Sequence, residues 1–98
     1  MIRKEKVKGS RKVKVTFVLP EDVVDGKLSL VGDFNDWDPT ANQFMRRRNG
    51  TYSTAIQLGP GERHEFRYYA DGGRWLDDDA ADAFKANVFG SRNCVVET

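Results

Sequence analysis

One cysteine and one histidine among 98 residues remove most of the side-chain chemistry by which small domains are stapled or made catalytic. Cys94 has no partner for an internal disulfide and, with a single His, cannot assemble a zinc site of soft ligands; it reads as a buried, inert thiol. His64 falls on an alternating, aromatic-rich stretch where it faces inward, which makes it a packed or rim histidine rather than the base of a nucleophilic pair. No apolar run approaches the roughly 20 residues that cross a bilayer. The chain opens on charged residues where a signal peptide needs an apolar stretch, so the expectation is a cytoplasmic protein with no membrane partner. A net charge of +1 at pH 7 gives no overall field that would draw it to nucleic acid. The "DDD" run at 77–79 lacks the alternating spacing and the glycine of a calcium loop and reads as a solvated loop. The other carboxylates lie mostly in turns and on exposed faces, where the raised pKa of a glycosidase acid is hard to produce. No glycine loop suited to a phosphate is present. These absences lead to the expectation of a non-enzyme with no catalytic residues, no metal and no cofactor.

What remains is 39% hydrophobic and 32% charged, a globular balance in a chain of one-domain length, without repeats, low-complexity tracts or linkers. From 12 to 19, "KVKVTFVL" places Val13, Val15 and Phe17 on one side and Lys12, Lys14 and Thr16 on the other, the period of a half-buried strand. Pro20 and "VVDGK" (23–27) end it. Leu28 and Leu30 begin a second strand. "NQFMRRR" (42–48) and "TYSTAIQL" (51–58) flank Asn49-Gly50, a strong hairpin signal because both residues tolerate positive φ. After the Gly59-Pro60-Gly61 turn, "RHEFRYYA" (63–70) groups Phe66 and Tyr68 with His64, and Glu65 and Arg67 with Tyr69. Asp71-Gly72-Gly73 turns the chain into a short strand at 74–76; 77–90 has no clean period and reads as a meandering loop; "NCVVE" closes on a last strand. The pattern predicts an all-β antiparallel sandwich of about seven strands over 11–98, with 1–10 as a loosely ordered basic arm. Arg46, Arg47 and Arg48 read as guards of an edge strand against unwanted pairing rather than as a nucleic-acid surface.

One stretch stands apart. "VGDFNDWDP" (31–39) sets Phe34 and Trp37 among residues that favour turns, and a tryptophan on a surface turn either plugs the end of a core or is held out to stack on something flat. Trp37, Trp75 and a cation, Arg67, on one exposed surface would form a platform suited to a hexose, whose flat C–H face stacks on indole while its hydroxyl rim meets Arg and Asn. The bland alternative is that each tryptophan caps one end of the core.

Three runs, "LSLVGDFNDWDPTANQF", "GPGERHEFRYYADGGRW" and "NVFGSRNCVVE", in this order and spacing, resemble the family-48 carbohydrate-binding modules. These are the glycogen-binding domain of the AMP-activated protein kinase beta subunit and the N-terminal early-set domains of isoamylase and glycogen branching enzymes. The resemblance spans about residues 12 to 97. It implies an immunoglobulin-like (early-set) fold and a non-catalytic module for α-1,4-linked glucan, whether glycogen, a starch-like polymer or maltooligosaccharides. Carried over position by position, Trp37 matches the first sugar-stacking tryptophan through Gly-x-Phe-Asn-x-Trp, Arg67 falls where the family has lysine, and Trp75 matches the second tryptophan. Phe89 stands at the wedge position usually held by leucine, Ser91 at the hydroxyl position and Asn93 at the asparagine. Phe34 is assigned to the core beneath the turn. Arg for Lys presents a planar fork that can bond two hydroxyls or stack on Trp37. Family members usually continue into a catalytic or kinase-binding region, so the expectation is a module that acts alone or reaches a glycogen-metabolising enzyme in trans. The alternative it leaves is an early-set module that docks on a protein without binding sugar.

Overall fold

A computed structural model describes residues 1–23 and 26–98; the turn expected over 23–27 includes Val24 and Asp25, which lie outside the described residues. Among the described residues the strands are β1 (Ile2–Lys6), β2 (Val13–Pro20), β3 (Leu28–Gly32), β4 (Met45–Arg46), β5 (Thr51–Leu58), β6 (Arg63–Ala70), β7 (Arg74–Leu76), β8 (Ala83–Ala86) and β9 (Arg92–Glu97). Short 3₁₀ turns occupy Glu21–Val23 and Asp33–Asn35. All strand pairs are antiparallel. One sheet runs β1-β2-β5-β4; the other runs β3-β6-β9-β8, with β7 also paired to β6. Four strands in the first sheet and β3-β6-β9 in the second reproduce the strand order of an immunoglobulin constant-type sandwich. The expected count of about seven therefore describes the frame, and β7 and β8 are insertions between its last two strands.

Alternation builds the core. Val13, Val15, Phe17 and Leu19 of β2 and Phe66, Tyr68 and Ala70 of β6 are buried, and the rings of Phe17, Phe44, Phe66 and Tyr68 meet edge-on or tilted at 5.1 to 6.3 Å between centroids. Such pairs add about 0.5–1.5 kcal/mol each beyond their buried area. The free edge of β3 is covered by the chain at 42–44, where Leu30 donates to the Asn42 carbonyl (2.8 Å) and Phe44 donates to the Leu28 carbonyl (2.8 Å). That cover closes a sheet edge that would otherwise invite pairing.

Four expectations are corrected. Residues 2–6 are not a loose arm: β1 pairs with β2 from Ile2 opposite Phe17 to Lys6 opposite Val13, and Lys4 Nζ reaches Asp82 Oδ2 at 2.7 Å. An edge strand needs backbone bonds more than apolar alternation, so its charged composition hid it. Within 77–90, β8 forms by pairing to β9 from Ala83 opposite Val95 to Ala86 opposite Arg92. The acidic run is a loop with Asp77 and Asp79 exposed, but its middle residue is not solvated: Asp78 is buried and accepts from the Tyr68 hydroxyl at 2.7 Å and from the Ala80 N–H at 2.8 Å. The Asn49-Gly50 hairpin forms, but with only Gly50 at positive φ (78°); Gly50 N–H closes on the Arg47 carbonyl at 3.3 Å and Arg47 N–H on the Thr51 carbonyl at 2.7 Å. This is a three-residue loop ending in a glycine bulge rather than a two-residue turn.

Candidate functional site

The loop after β3 is built around Asn35. Its Oδ1 accepts from Gly32 N–H at 3.0 Å, and its Nδ2 donates to the Leu30 carbonyl at 3.0 Å and to Asn42 Oδ1 at 2.8 Å. Gly32 is required by space: its backbone is extended at φ −170°, and a Cβ there would meet the Glu65 carbonyl oxygen and the Phe34 ring at 2.6 Å. Phe34, half-buried against the core, meets His64 edge-on at 5.9 Å. Beyond it, Asp36 (φ 56°) and Trp37 (φ 58°) both take the left-handed conformation, sparsely populated for residues with a Cβ and persistent only where surroundings impose it. Trp37 N–H returns to the Gly32 carbonyl at 2.9 Å, which turns the indole outward, 36% exposed.

The facing residues come from the second sheet. β6 pairs with β9 through Phe66 and with β7 from Tyr68 onward, so Arg67 sits where the strand changes partner. Its side chain is only 16% exposed. Nε donates to Asp77 Oδ1 at 3.2 Å, Nη1 reaches Ser91 Oγ at 3.5 Å, and the guanidinium carbon stands 5.4 Å from the Trp75 ring centroid. Arg67 thus stacks on Trp75, not on Trp37. Trp75, 47% exposed, lies directly across from Tyr69, whose ring is 4.8 Å away. Neither indole N–H has a hydrogen-bond partner among the described residues.

The third side is the β8–β9 turn, held by Asn87. Asn87 Oδ1 accepts from the N–H groups of Phe89 (3.0 Å) and Ser91 (3.2 Å), while Nδ2 donates to Ser91 Oγ (2.9 Å) and Asn93 Oδ1 (3.2 Å). The turn projects Val88 and Phe89 into solvent at 92% and 89% exposure. Asn93 Nδ2 in turn donates to Glu65 Oε1 at 3.1 Å, and Lys85 pairs with the other Glu65 oxygen at 3.5 Å.

Trp37, Arg67, Trp75, Phe89, Ser91 and Asn93 all line one groove of about 920 Å³, with Asp33, Glu65, Lys85 and Asn87 among its other walls. Sequence reasoning missed Asp77, Asn87 and Glu65 as organisers. Asp77 holds Arg67 with one oxygen and Arg92 Nε with the other at 3.3 Å. The strand parity that grouped Glu65 with Arg67 and an Asn three residues before Gly90 were the available signals; nothing local marked Asp77.

At the groove's rear, His64 Nδ1 lies 2.7 Å from Asp33 Oδ1 and Nε2 lies 2.8 Å from Glu62 Oε1. Only the imidazolium can donate at both nitrogens. Burial works against the charged ring, but its hydrogen bonds with Glu62 and Asp33 outweigh that and hold its pKa above the usual histidine value. Burial pushes the Cys94 thiol up, which leaves it a poor nucleophile. Among the described residues no group of three or more His, Cys, Asp or Glu is placed to hold a metal ion, and no helix is long and apolar enough to cross a membrane.

No protein-family model matches the chain. Among curated proteins it is similar to an amylopullulanase of Thermoanaerobacter thermohydrosulfuricus, with 35% identity over 60 residues. The match covers 57% of this chain and 4% of that protein.

Proposed function

We propose that the chain is a non-catalytic module that binds α-1,4-linked glucan, in glycogen, starch-like polymers or maltooligosaccharides, acting alone or bringing a glycogen-metabolising enzyme to that polymer. The single observation that carries this reading is the groove, where two exposed indoles stand beside a cation with polar side chains at its rim. Sugar rings offer an apolar C–H face to indole and a rim of hydroxyls to Arg, Ser and Asn. Arg67 Nη2 has no hydrogen-bond partner among the described residues and remains a donor for a sugar hydroxyl. The similarity to a protein named amylopullulanase supports a glucan as the ligand class. A shallow groove and a flexible ligand set the affinity low, micromolar to millimolar, or about −4 to −8 kcal/mol.

The test is a titration of intrinsic tryptophan fluorescence with maltoheptaose, with cellohexaose as the linkage control. A saturable change with the α-linked sugar alone supports the reading. No change with either sugar up to millimolar concentration overturns it. The second reading is an early-set docking module without sugar binding, favoured by the exposed Val88–Phe89 tip. It predicts a protein partner retained equally with and without maltoheptaose.

A further inference from the structure

A smaller pocket of about 170 Å³ lies beyond the Tyr69–Trp75 pair, with Lys27, Ser29, Pro39, Thr40, Gln43 and Tyr69 among its lining residues. We propose that it is a second glucosyl subsite, taking a further sugar of an α-glucan whose neighbouring unit occupies the main groove. The proposal rests on the glucan reading above and extends it to chain length.

Register makes the two concavities neighbours. Ser29 lies opposite Tyr69 and Tyr69 opposite Trp75, so these side chains share the outer face of the sheet with Arg67, two residues earlier on β6 and about 7 Å along it. The loop that presents Trp37 to the groove continues to Pro39 and Thr40, so one lip bounds both concavities. Tyr69 is the partition: its ring packs on Trp75 at 4.8 Å and its side chain also lines the small pocket.

The polar groups there divide into two sets. Ser29 Oγ donates to the Pro39 carbonyl, Thr40 Oγ1 donates to Asp38 Oδ1, each at 2.7 Å, and Asp71 Oδ2 accepts from the Lys27 N–H at 2.8 Å. By contrast, Lys27 Nζ, the Gln43 side-chain amide and the Tyr69 hydroxyl have no hydrogen-bond partner among the described residues. Lining residues that carry an ammonium, an amide and a phenol, beside an aromatic wall continuous with Trp75, offer both donors and acceptors to sugar hydroxyls.

The experiment is calorimetric titration of the full chain and of a Lys27→Ala/Gln43→Ala double variant with maltotriose and with maltoheptaose. Both side chains are exposed, so the fold is unaffected; a thermal melt checks this. The wild type is expected to bind maltoheptaose more tightly than maltotriose, and the variant to lose about three- to tenfold of maltoheptaose affinity with maltotriose unchanged. A length preference that survives undiminished in the variant, or none in the wild type, overturns the subsite while leaving the groove intact. Failure of both sugars to bind the wild type overturns the glucan reading and the subsite with it.

Discussion

The two lips of the groove are built differently. The Trp37 lip is tied into the sandwich by Asn35, which bonds Gly32, Leu30 and Asn42, and by the Phe34 ring packed against the core. The Phe89 lip is a tight turn organised by Asn87, with its two apolar tip residues almost wholly in water. One lip is held in place by its own bonds and packing; the other leaves its two apolar tip residues almost without contacts. A site with one fixed and one exposed wall separates preorganisation from closure, and each can be perturbed alone.

The largest effect is expected from Asn35→Ala. It leaves the Gly32 N–H and the Leu30 carbonyl without their side-chain partner and frees Trp37 from its left-handed turn, at a cost of about 2–3 kcal/mol of stability. Urea unfolding should show the midpoint fall, and a midpoint within error of wild type would mean that the lip is not held as described. Asn87→Ala is smaller, about 1 kcal/mol or less, because the turn it organises is exposed and can rehydrate. Maltoheptaose affinity should weaken in this variant while the core melts almost as before. Equal destabilisation by the two substitutions would erase the contrast between the lips.

The smallest effect concerns His64, which clamps Asp33 at the base of the Trp37 lip. Its folded pKa is raised, so its contribution is fully present below the unfolded value of about 6.5 and is lost as pH rises through the folded value. The facing charges are Asp33, Glu62 and, acting on Glu62, Lys12. The urea midpoint should therefore decline as pH rises across this window in wild type and stay flatter in His64→Gln. Parallel pH profiles would show that the ring does not titrate with folding.

How far the sequence could be read follows the same division. β2 and β6 were legible because each buries one face against the core, and alternation is the direct imprint of that. β1 and β8 were not: β1 is an edge strand of mostly charged residues, and β8 has only Phe84 as a large apolar side chain, so pairing to a neighbour fixes both. The six groove positions came from motif resemblance and strand parity. Of their organisers, Asp77 acts through side-chain bonds to residues 10 and 15 positions away, which no local pattern encodes, whereas Asn87 bonds residues within six positions and only its spacing from Gly90 marked it. Nor does sequence anticipate positive φ at Trp37, since non-glycine residues enter that region only when tertiary contacts impose it. Asp78 was misread for a related reason: its burial depends on the Tyr68 hydroxyl, ten positions away.

The most direct measurement is calorimetric titration of Trp37→Ala and Trp75→Ala with maltoheptaose, alongside their melting temperatures. Both indoles are solvent-facing, so both variants should melt within a few degrees of wild type, while each loses at least about tenfold in affinity, as removal of an aromatic stacking surface predicts. Two folded variants that bind maltoheptaose as tightly as wild type would contradict the account.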